Sequence, residues 1–466
     1  MSDEADPLAE QRKPDRPVVI ALALLLAAFL GLVIHNVDQH PAHIGYDAWE
    51  HMAYTATLAE GRLPREADTH EFFSPPLPYV AAATLAAIKG SNDGIGKIMK
   101  GQNVPLAILA FGLLIVLLRQ LGVSGWASVW AMGCFTLLPV VHKSFAMARG
   151  EPMVMTLCLA CLTAGVAMGR SPRSWTTWIA FGVLIGLTMI SRQWALFAAT
   201  PAALVPAGRA IWRRRSDWPR VMTSALTATV VAAPFYIWLW VAFGSPIAFN
   251  RAPVKNSHSM ASLLLPSPPP RALWTDPRMH EMAGHLWPIL YADVWGDYWL
   301  EWKVFGKNER GTKHKGRHAR PENLGLDGII ETNHARQRPA LVRSVFLGLL
   351  PTAVVALGAG WTLVWLIRTR GRASEALPAM LCVMTLLLTW LGYGYFVVRH
   401  ADGTGDVVKG TYVLHVMPML IALAAMMLSR QWSIGGRVRR SMIVAVAALT
   451  VLCLLGNASM LTTSYG

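Results

Sequence analysis

Charged side chains are scarce in this chain. Asp, Glu, Lys and Arg make up 15% of its 466 residues, against 54% hydrophobic residues and a mean hydropathy of +0.38. That balance excludes a soluble globular domain and describes a protein that crosses a membrane many times. Cysteine is scarce as well: Cys134, Cys158, Cys161, Cys382 and Cys453 all lie inside apolar runs. They fit buried small hydrophobic side chains and form neither a disulfide framework nor a zinc-ligand pattern. Acidic residues number 27 against 42 basic ones, a net charge of +15. The excess does not signal nucleic acid, because the basic residues cluster between apolar runs, where membrane topology accounts for them. Small residues marking a signal-peptide cleavage site are missing after the first apolar run, Pro17 to Ile34. That run reads as an uncleaved first span with residues 1–16 as a cytoplasmic tail.

Further apolar runs lie at 103–119, 126–142 and 150–168. The stretch 175–207 is too long for one span and short for two. Basic flanks on both sides of it, Arg170 and Arg173 before and Arg209 to Arg220 after, make it cross twice, with a break near Ser191, Arg192 and Gln193. With 221–243, 342–367, 376–397, 411–429 and 440–456, the pattern predicts an all-α polytopic membrane protein of about eleven spans. It divides into an N-terminal transmembrane module, 17–243, with a first outer loop at 35–102; a long outer loop, 244–341; and a C-terminal transmembrane module, 342–466. Within the first loop, residues 77–89 are apolar but too short to span, and read as a surface-lying or half-inserted helix. The long loop carries a proline-rich stretch at 266–270 and a basic tract from Lys303 to Arg320; loops of such length are functional or disordered. The acidic first loop, the long loop and the segment Arg399 to Lys409 all fall on the outer side of the cell membrane, with the N-terminus cytoplasmic.

The first outer loop concentrates the chain's carboxylates and histidines between Tyr46 and Tyr79. Asp47, Glu50, His51 and Tyr54 are spaced i, i+3, i+4, i+7, which places them on one face of a helix that Gly61 and Pro64 end. Two readings follow. The stripe can hold a general base or a substrate-binding row, or Asp47 caps the helix with Glu50 three residues on. Further on, His70 and Glu71 precede the rigid Pro75-Pro76 turn.

The order of these residues carries a resemblance. An apolar span, then Asp47, Glu50, His51, Tyr54, Leu58, Gly61, Leu63 and Pro64, then Glu71, Pro75, Pro76, Leu77 and Tyr79, resembles membrane glycosyltransferases of the GT-C class, protein O-mannosyltransferase-like and aminoarabinose-transferase-like enzymes. It is clearest over 17–205, and Lys409, Tyr412 and Pro418 look like the class's later basic-aromatic signature. The resemblance makes 17–243 the catalytic module. It implies a polyprenyl-phosphate-linked hexose or pentose as donor; a lipid, glycan or protein acceptor; and reaction on the outer face. No nucleotide-sugar domain is expected, in agreement with the absence of a Gly-rich phosphate loop. Asp47 matches the catalytic carboxylate, the general base of an inverting displacement, and Glu71 the second acidic position. Glu50, His51, Tyr54, His70 and Tyr79 join the substrate-binding set. A divalent metal ion is a candidate cofactor, with Glu71 and His70 as candidate ligands. Relatives carry an Asp followed closely by His-Pro-Pro there, whereas here the imidazole precedes the carboxylate, a departure that bears on metal ligation.

A leaving lipid phosphate needs positive charge. Arg149, Arg192, Arg399 and Lys409 sit at outer ends of spans, with Lys409 the first choice and Arg192 the second. The alternative for each is an anchor snorkelling to lipid headgroups. Arg149-Gly150-Glu151-Pro152 also resembles a turn of the class; its alternative is a local ion pair. In the long loop, Asp293, Asp297 and Trp299 offer a sugar-stacking site or an interfacial aromatic belt, and His280 and His285 a weak metal pair. The rival classes are a secondary transporter, a polyprenyl-linked ligase or flippase, and an inactive scaffold. Transporters keep their ionisable groups near the midplane, whereas these gather in outer loops.

Overall fold

The computed structural model of the protein describes residues 15–170, 174–213, 217–250, 270–279, 281–282, 284–303, 327–371, 373–400 and 407–463. Among them the regular structure is helical throughout. The N-terminal half forms α1 (Arg16–Gln39), α2 (Ala48–Ala59), α3 (Leu77–Lys89), α4 (Ile95–Gly101), α5 (Asn103–Gln120), α6 (Trp126–Thr136), α7 (Pro139–Ala146), α8 (Glu151–Arg170), α9 (Trp175–Met189), α10 (Leu196–Arg213) and α11 (Trp218–Phe243). Then come α12 (Leu286–Trp295), α13 (Asp327–Thr369), α14 (Ala376–His400), α15 (Met417–Ile434) and α16 (Arg437–Gly456). His280, the proline-rich residues 266–269 and the basic tract 304–320 lie outside the described residues.

The fold is that of a polytopic helical membrane protein. Among the described residues eight helices are long and apolar enough to cross a membrane, or nine when the pair α6–α7, bent by 52°, counts as one. The expected eleven is not reached, and the difference lies in 175–207. That stretch breaks where the charges placed the break, at a 3-10 turn over Gln193–Ala195. Its first half, α9, has only 15 residues, a rise of roughly 22 Å against a hydrocarbon layer of about 30 Å. Its second half, α10, carries Pro201 and Pro206 within the helix. Residues 77–89 form a 13-residue helix, too short to span, as expected. Large apolar side chains such as Leu24, Val241 and Val438 are 66%, 80% and 77% exposed on the spans, the outward surface that lipid covers.

Packing explains how the helices reach the site. α9 and α11 touch backbone to backbone at Gly182 and Gly186, where a Cβ would stand 2.4 Å from the Ser224 carbonyl oxygen and 2.6 Å from Val231 Cβ. This small-xxx-small spacing is a membrane packing device. α2 ends at Ala59, and Gly61 follows with φ +80°, the stop expected there. At one end of the bundle meet the C-terminal end of α1, the N-terminal end of α8, the α9–α10 break and the 3-10 turn Gly410–Val416 ahead of α15. α2 and α3 pack on each other beside them, and the loop 61–76 folds back to the same place.

Candidate active site

Asp47 opens the site. It precedes α2 in the left-handed region, at φ 57° and ψ 24°, and its carboxylate makes no capping bond. The capping reading is therefore replaced by a tertiary one: Lys409 Nζ donates to Asp47 Oδ2 at 2.6 Å. The pair is asymmetric, with the Lys409 side chain 12% exposed and that of Asp47 42%. Asp is one of the few residues that tolerates left-handed backbone. The protein surroundings oppose charge on Asp47, but Lys409 and then Arg149 outweigh them and hold the carboxyl well below the usual range. Lys409 in turn stays an ammonium, because Asp47 offsets its desolvation.

Behind this pair lies a buried ion network. Arg149 Nε and Nη2 donate to Glu151 Oε2 and Oε1 at 3.0 and 2.8 Å, a bidentate fork. Arg192 Nη2 reaches the same Glu151 Oε1 at 3.2 Å, while its Nη1 donates to Glu71 Oε2 at 2.8 Å. Ser74 Oγ accepts from Arg192 and donates to Glu71. Three carboxylates, Asp47, Glu71 and Glu151, thus face three cations, Lys409, Arg149 and Arg192. Arg149 Nη1 and Arg192 Nε are buried and find no hydrogen-bond partner among the described residues. Both arginines are at most 2% exposed, so each unpaired N–H is costly unless an anion meets it.

His51 sits beneath, fully buried on α2. Arg192 Nη2 approaches its Nε2 at 3.4 Å, which leaves the proton on Nδ1, 2.8 Å from the Tyr79 hydroxyl. Burial, then Arg192 and Arg149, push its pKa well below the ordinary value, so the ring is neutral. Tyr54 stacks on Tyr79 at 4.2 Å and is fully buried. Glu50 turns to the loop, where its Oε2 accepts from Thr69 Oγ1 at 2.8 Å and from His70 N at 2.7 Å.

A pocket opens between these groups. Asp47, Glu50, His70, Glu71, Arg192, Lys409 and Tyr412 line it, together with Phe73, Trp194 and Phe249. The Arg192 guanidinium lies 4.9 Å over the Trp194 ring, which is 4.8 Å from Tyr412. His51, Tyr54, Tyr79 and Arg149 form the layer behind. The pocket is about 60 Å³, far below the ~300–1,000 Å³ of sites that enclose a small molecule. It has room for a phosphate-sized group. Asp297, Trp299 and Arg399 are not among its lining. The Asp297 carboxylate accepts the backbone N–H groups of Glu301, Trp302 and Lys303 at 2.9, 2.9 and 2.6 Å. Trp299 Nε1 donates to the Val408 carbonyl at 2.9 Å, and Arg399 is exposed. Trp194, Ser74 and Glu301 join the site unannounced by any sequence motif.

The donor set does not fit a metal at Glu71. Its Oε2 is held by Arg192, so a divalent cation there would lie against a buried guanidinium. Among the described residues no group of three His, Cys, Asp or Glu side chains is placed to hold a metal ion.

Glu301 gives the site a pH signature. Gly45 N donates to its Oε2 at 3.1 Å. Burial, then the Asp297 and Asp47 carboxylates, push its pKa up from 4.5 to about 8. Between those values the folded protein holds a proton that the unfolded chain has released. Stability contributed here is therefore present at acid pH and lost as pH rises through that window. We expect Glu301→Gln to flatten this fall when thermal unfolding in detergent is followed across the same pH range. Equal slopes for variant and wild type would contradict it.

These features define a polytopic helical membrane protein with a charged pocket at one end of its bundle, and its fold is similar to that of a solved archaeal oligosaccharyltransferase. The archaeal oligosaccharyltransferase AglB of Archaeoglobus fulgidus, solved with an inhibitory peptide and a dolichol-phosphate, matches 96% of this chain and 56% of its own, with TM-score 0.52 at 13% identity. A second structure of the A. fulgidus oligosaccharyltransferase, a complex with Zn and sulfate, matches 95% of this chain and 53% of its own, with TM-score 0.50 at 13% identity. ArnT from Cupriavidus metallidurans in the apo state matches 95% and 76%, with TM-score 0.44 at 12% identity. The chain thus spans little more than half the length of the oligosaccharyltransferase. No protein-family model and no curated protein matches the sequence.

Proposed function

We propose that the protein is a glycosyltransferase that moves a sugar from a polyprenyl-phosphate donor to an acceptor hydroxyl at the outer face of the cell membrane. The observation that carries this reading is the Asp47–Lys409 pair, 2.6 Å apart, on a pocket whose other wall is Arg192. It sets a base beside the cations a leaving phosphate requires.

At rest, Lys409 keeps Asp47 a weak base. A donor phosphate entering the pocket competes for the Lys409 ammonium and is met by the Arg192 side of the wall. Asp47, freed of its partner, returns towards the ordinary carboxylate value of about 3.9 and becomes the stronger base. It takes the acceptor hydroxyl's proton as that oxygen forms its bond to sugar C1. The bond from C1 to the phosphate oxygen breaks with its electron pair left on phosphate, and the configuration at C1 inverts. Glu71 and Glu151 hold Arg192 and Arg149 in place, which gives Glu71 a positioning role. The acceptor is a lipid, glycan or protein hydroxyl.

The test is transfer from a polyprenyl-phosphate sugar by the purified protein in lipid vesicles, with and without EDTA. Because Arg192 occupies Glu71, we expect equal rates in both arms. Loss of transfer in EDTA that Mg²⁺ or Mn²⁺ restores would contradict the role given to Glu71 and Arg192.

A further inference from the structure

Lys143, Asp293, Tyr46 and Gly410 form a second polar cluster, outside the lining of the pocket. Lys143 and Asp293 are 1% and 0% exposed, and Tyr46 is 4%. The Asp293 carboxylate is fully engaged. Its Oδ1 accepts from Lys143 Nζ at 2.6 Å and from the Tyr46 hydroxyl at 2.7 Å. Its Oδ2 accepts from the backbone N–H of Gly410 at 2.5 Å. Lys143 Nζ also donates to the Asp293 carbonyl at 2.8 Å, fastening the side chain to the end of α12.

The partners of this carboxylate are the chain neighbours of the reacting pair. Tyr46 precedes Asp47, and Gly410 follows Lys409. The two halves of the pair come from segments 362 residues apart, and one carboxylate ties both. We propose that Asp293, oriented by Lys143, is a positioning residue that sets the separation of Asp47 and Lys409. This inference rests on the reading of those two residues as base and phosphate cation.

Four more contacts agree. The Tyr393 hydroxyl accepts from Lys409 N at 3.0 Å, and Trp299 holds the Val408 carbonyl. The Tyr46 ring lies under both ammonium groups, 5.5 Å from Lys143 Nζ and 5.4 Å from Lys409 Nζ. Gly410 suits the closeness of the tie: a Cβ there would stand 3.1 Å from Asp293 Oδ2, 3.1 Å from its carbonyl carbon and 3.1 Å from Val294 N. A side chain at 410 therefore crowds the contact between the Lys409 segment and α12, which has to give by a few tenths of an ångström. A buried ion pair that merely filled space would need neither the Tyr46 hydroxyl nor the Gly410 N–H. Its removal would not bear on a side chain at the pocket.

The clamp is tested on the full-length protein through the reactivity of Lys409, which needs no turnover. Amine acetylation is followed by quantitative mass spectrometry in wild type, Tyr46→Phe and Gly410→Ala, with exposed Lys89 as internal reference. Tyr46→Phe is isosteric and removes one tie; Gly410→Ala displaces the other. We expect Lys409 to label several-fold faster in Tyr46→Phe and about tenfold faster in Gly410→Ala, the scale of one lost charge-assisted bond, with Lys89 unchanged. Unchanged Lys409 labelling in folded Tyr46→Phe and Gly410→Ala overturns the clamp. If labelling changes as expected in a protein that moves no sugar, the clamp holds and the glycosyl-transfer reading fails. If labelling is unchanged while wild type transfers sugar, the reading holds and the clamp fails.

Discussion

Asp47→Asn is expected to lower sugar transfer by about 10²–10⁴-fold, the usual contribution of a positioned general base, while leaving the fold intact. The choice of Asn matters. Position 47 has φ 57°, and Asn tolerates that backbone about as well as Asp, whereas Ala adds strain unrelated to chemistry. Asn also keeps an oxygen for Lys409 and loses only the charge and the basicity. Because the Asp47 side chain is 42% exposed, removing the ion pair alone costs no more than about 1 kcal/mol of stability. A thermal unfolding curve close to wild type together with lost transfer separates chemistry from folding. Transfer near the wild-type rate would remove Asp47 from the role of base.

Arg192→Met is expected to have the largest effect on stability. Met matches the length of the Arg stem but removes the guanidinium from between Glu71 and Glu151, which are 6% and 2% exposed. Breaking a buried pair from one side costs about 3–5 kcal/mol, because the remaining charge stays desolvated and unmatched. Glu151 retains Arg149, so Glu71 carries most of the damage. Adding Glu71→Gln to Arg192→Met should therefore recover part of the loss, since the amide still bonds Ser74 without a charge. Thermal unfolding in detergent of both single variants and the double variant measures that coupling. A double variant no more stable than Arg192→Met would show that Arg192 acts through packing alone. Transfer should stay low in the double variant, because the leaving phosphate has lost a cation.

The sequence made the class of the fold legible through length and apolarity, since a lipid layer leaves a chain few ways to cross it. It also placed the α9–α10 break, because basic residues on both sides of 175–207 call for two crossings with a turn near Ser191, Arg192 and Gln193. The span count was less legible. Whether 175–207 yields two full spans depends on where each helix starts and ends, which the apolar run as a whole does not report. For the site, residue type and position brought Asp47, Glu71, Arg192 and Lys409 forward, and the structure gathers all of them at one pocket. Their pairings were not legible. Helical spacing grouped Asp47 with Glu50, His51 and Tyr54, yet Asp47 stands outside α2 and bonds Lys409, 362 positions away. Glu50 turns to the loop 69–70 and Tyr54 to the layer behind the pocket. The aromatic and acidic density around Asp293 to Trp299 suggested a sugar platform. In the structure Asp297 holds three backbone N–H groups and Asp293 three separate donors. Composition alone does not tell a carboxylate that meets substrate from one that organises the chain.

The central claim is chemical: a sugar leaves a lipid phosphate and joins a hydroxyl. Its most direct test is the stoichiometry of products formed by the purified wild-type protein in vesicles given a radiolabelled polyprenyl-phosphate sugar and a cell-envelope extract as acceptor. The account predicts one polyprenyl phosphate released for each sugar joined to acceptor, with inverted configuration at the anomeric carbon. Sugar crossing the vesicle membrane with the donor uncleaved, or no cleavage under any acceptor, would contradict it.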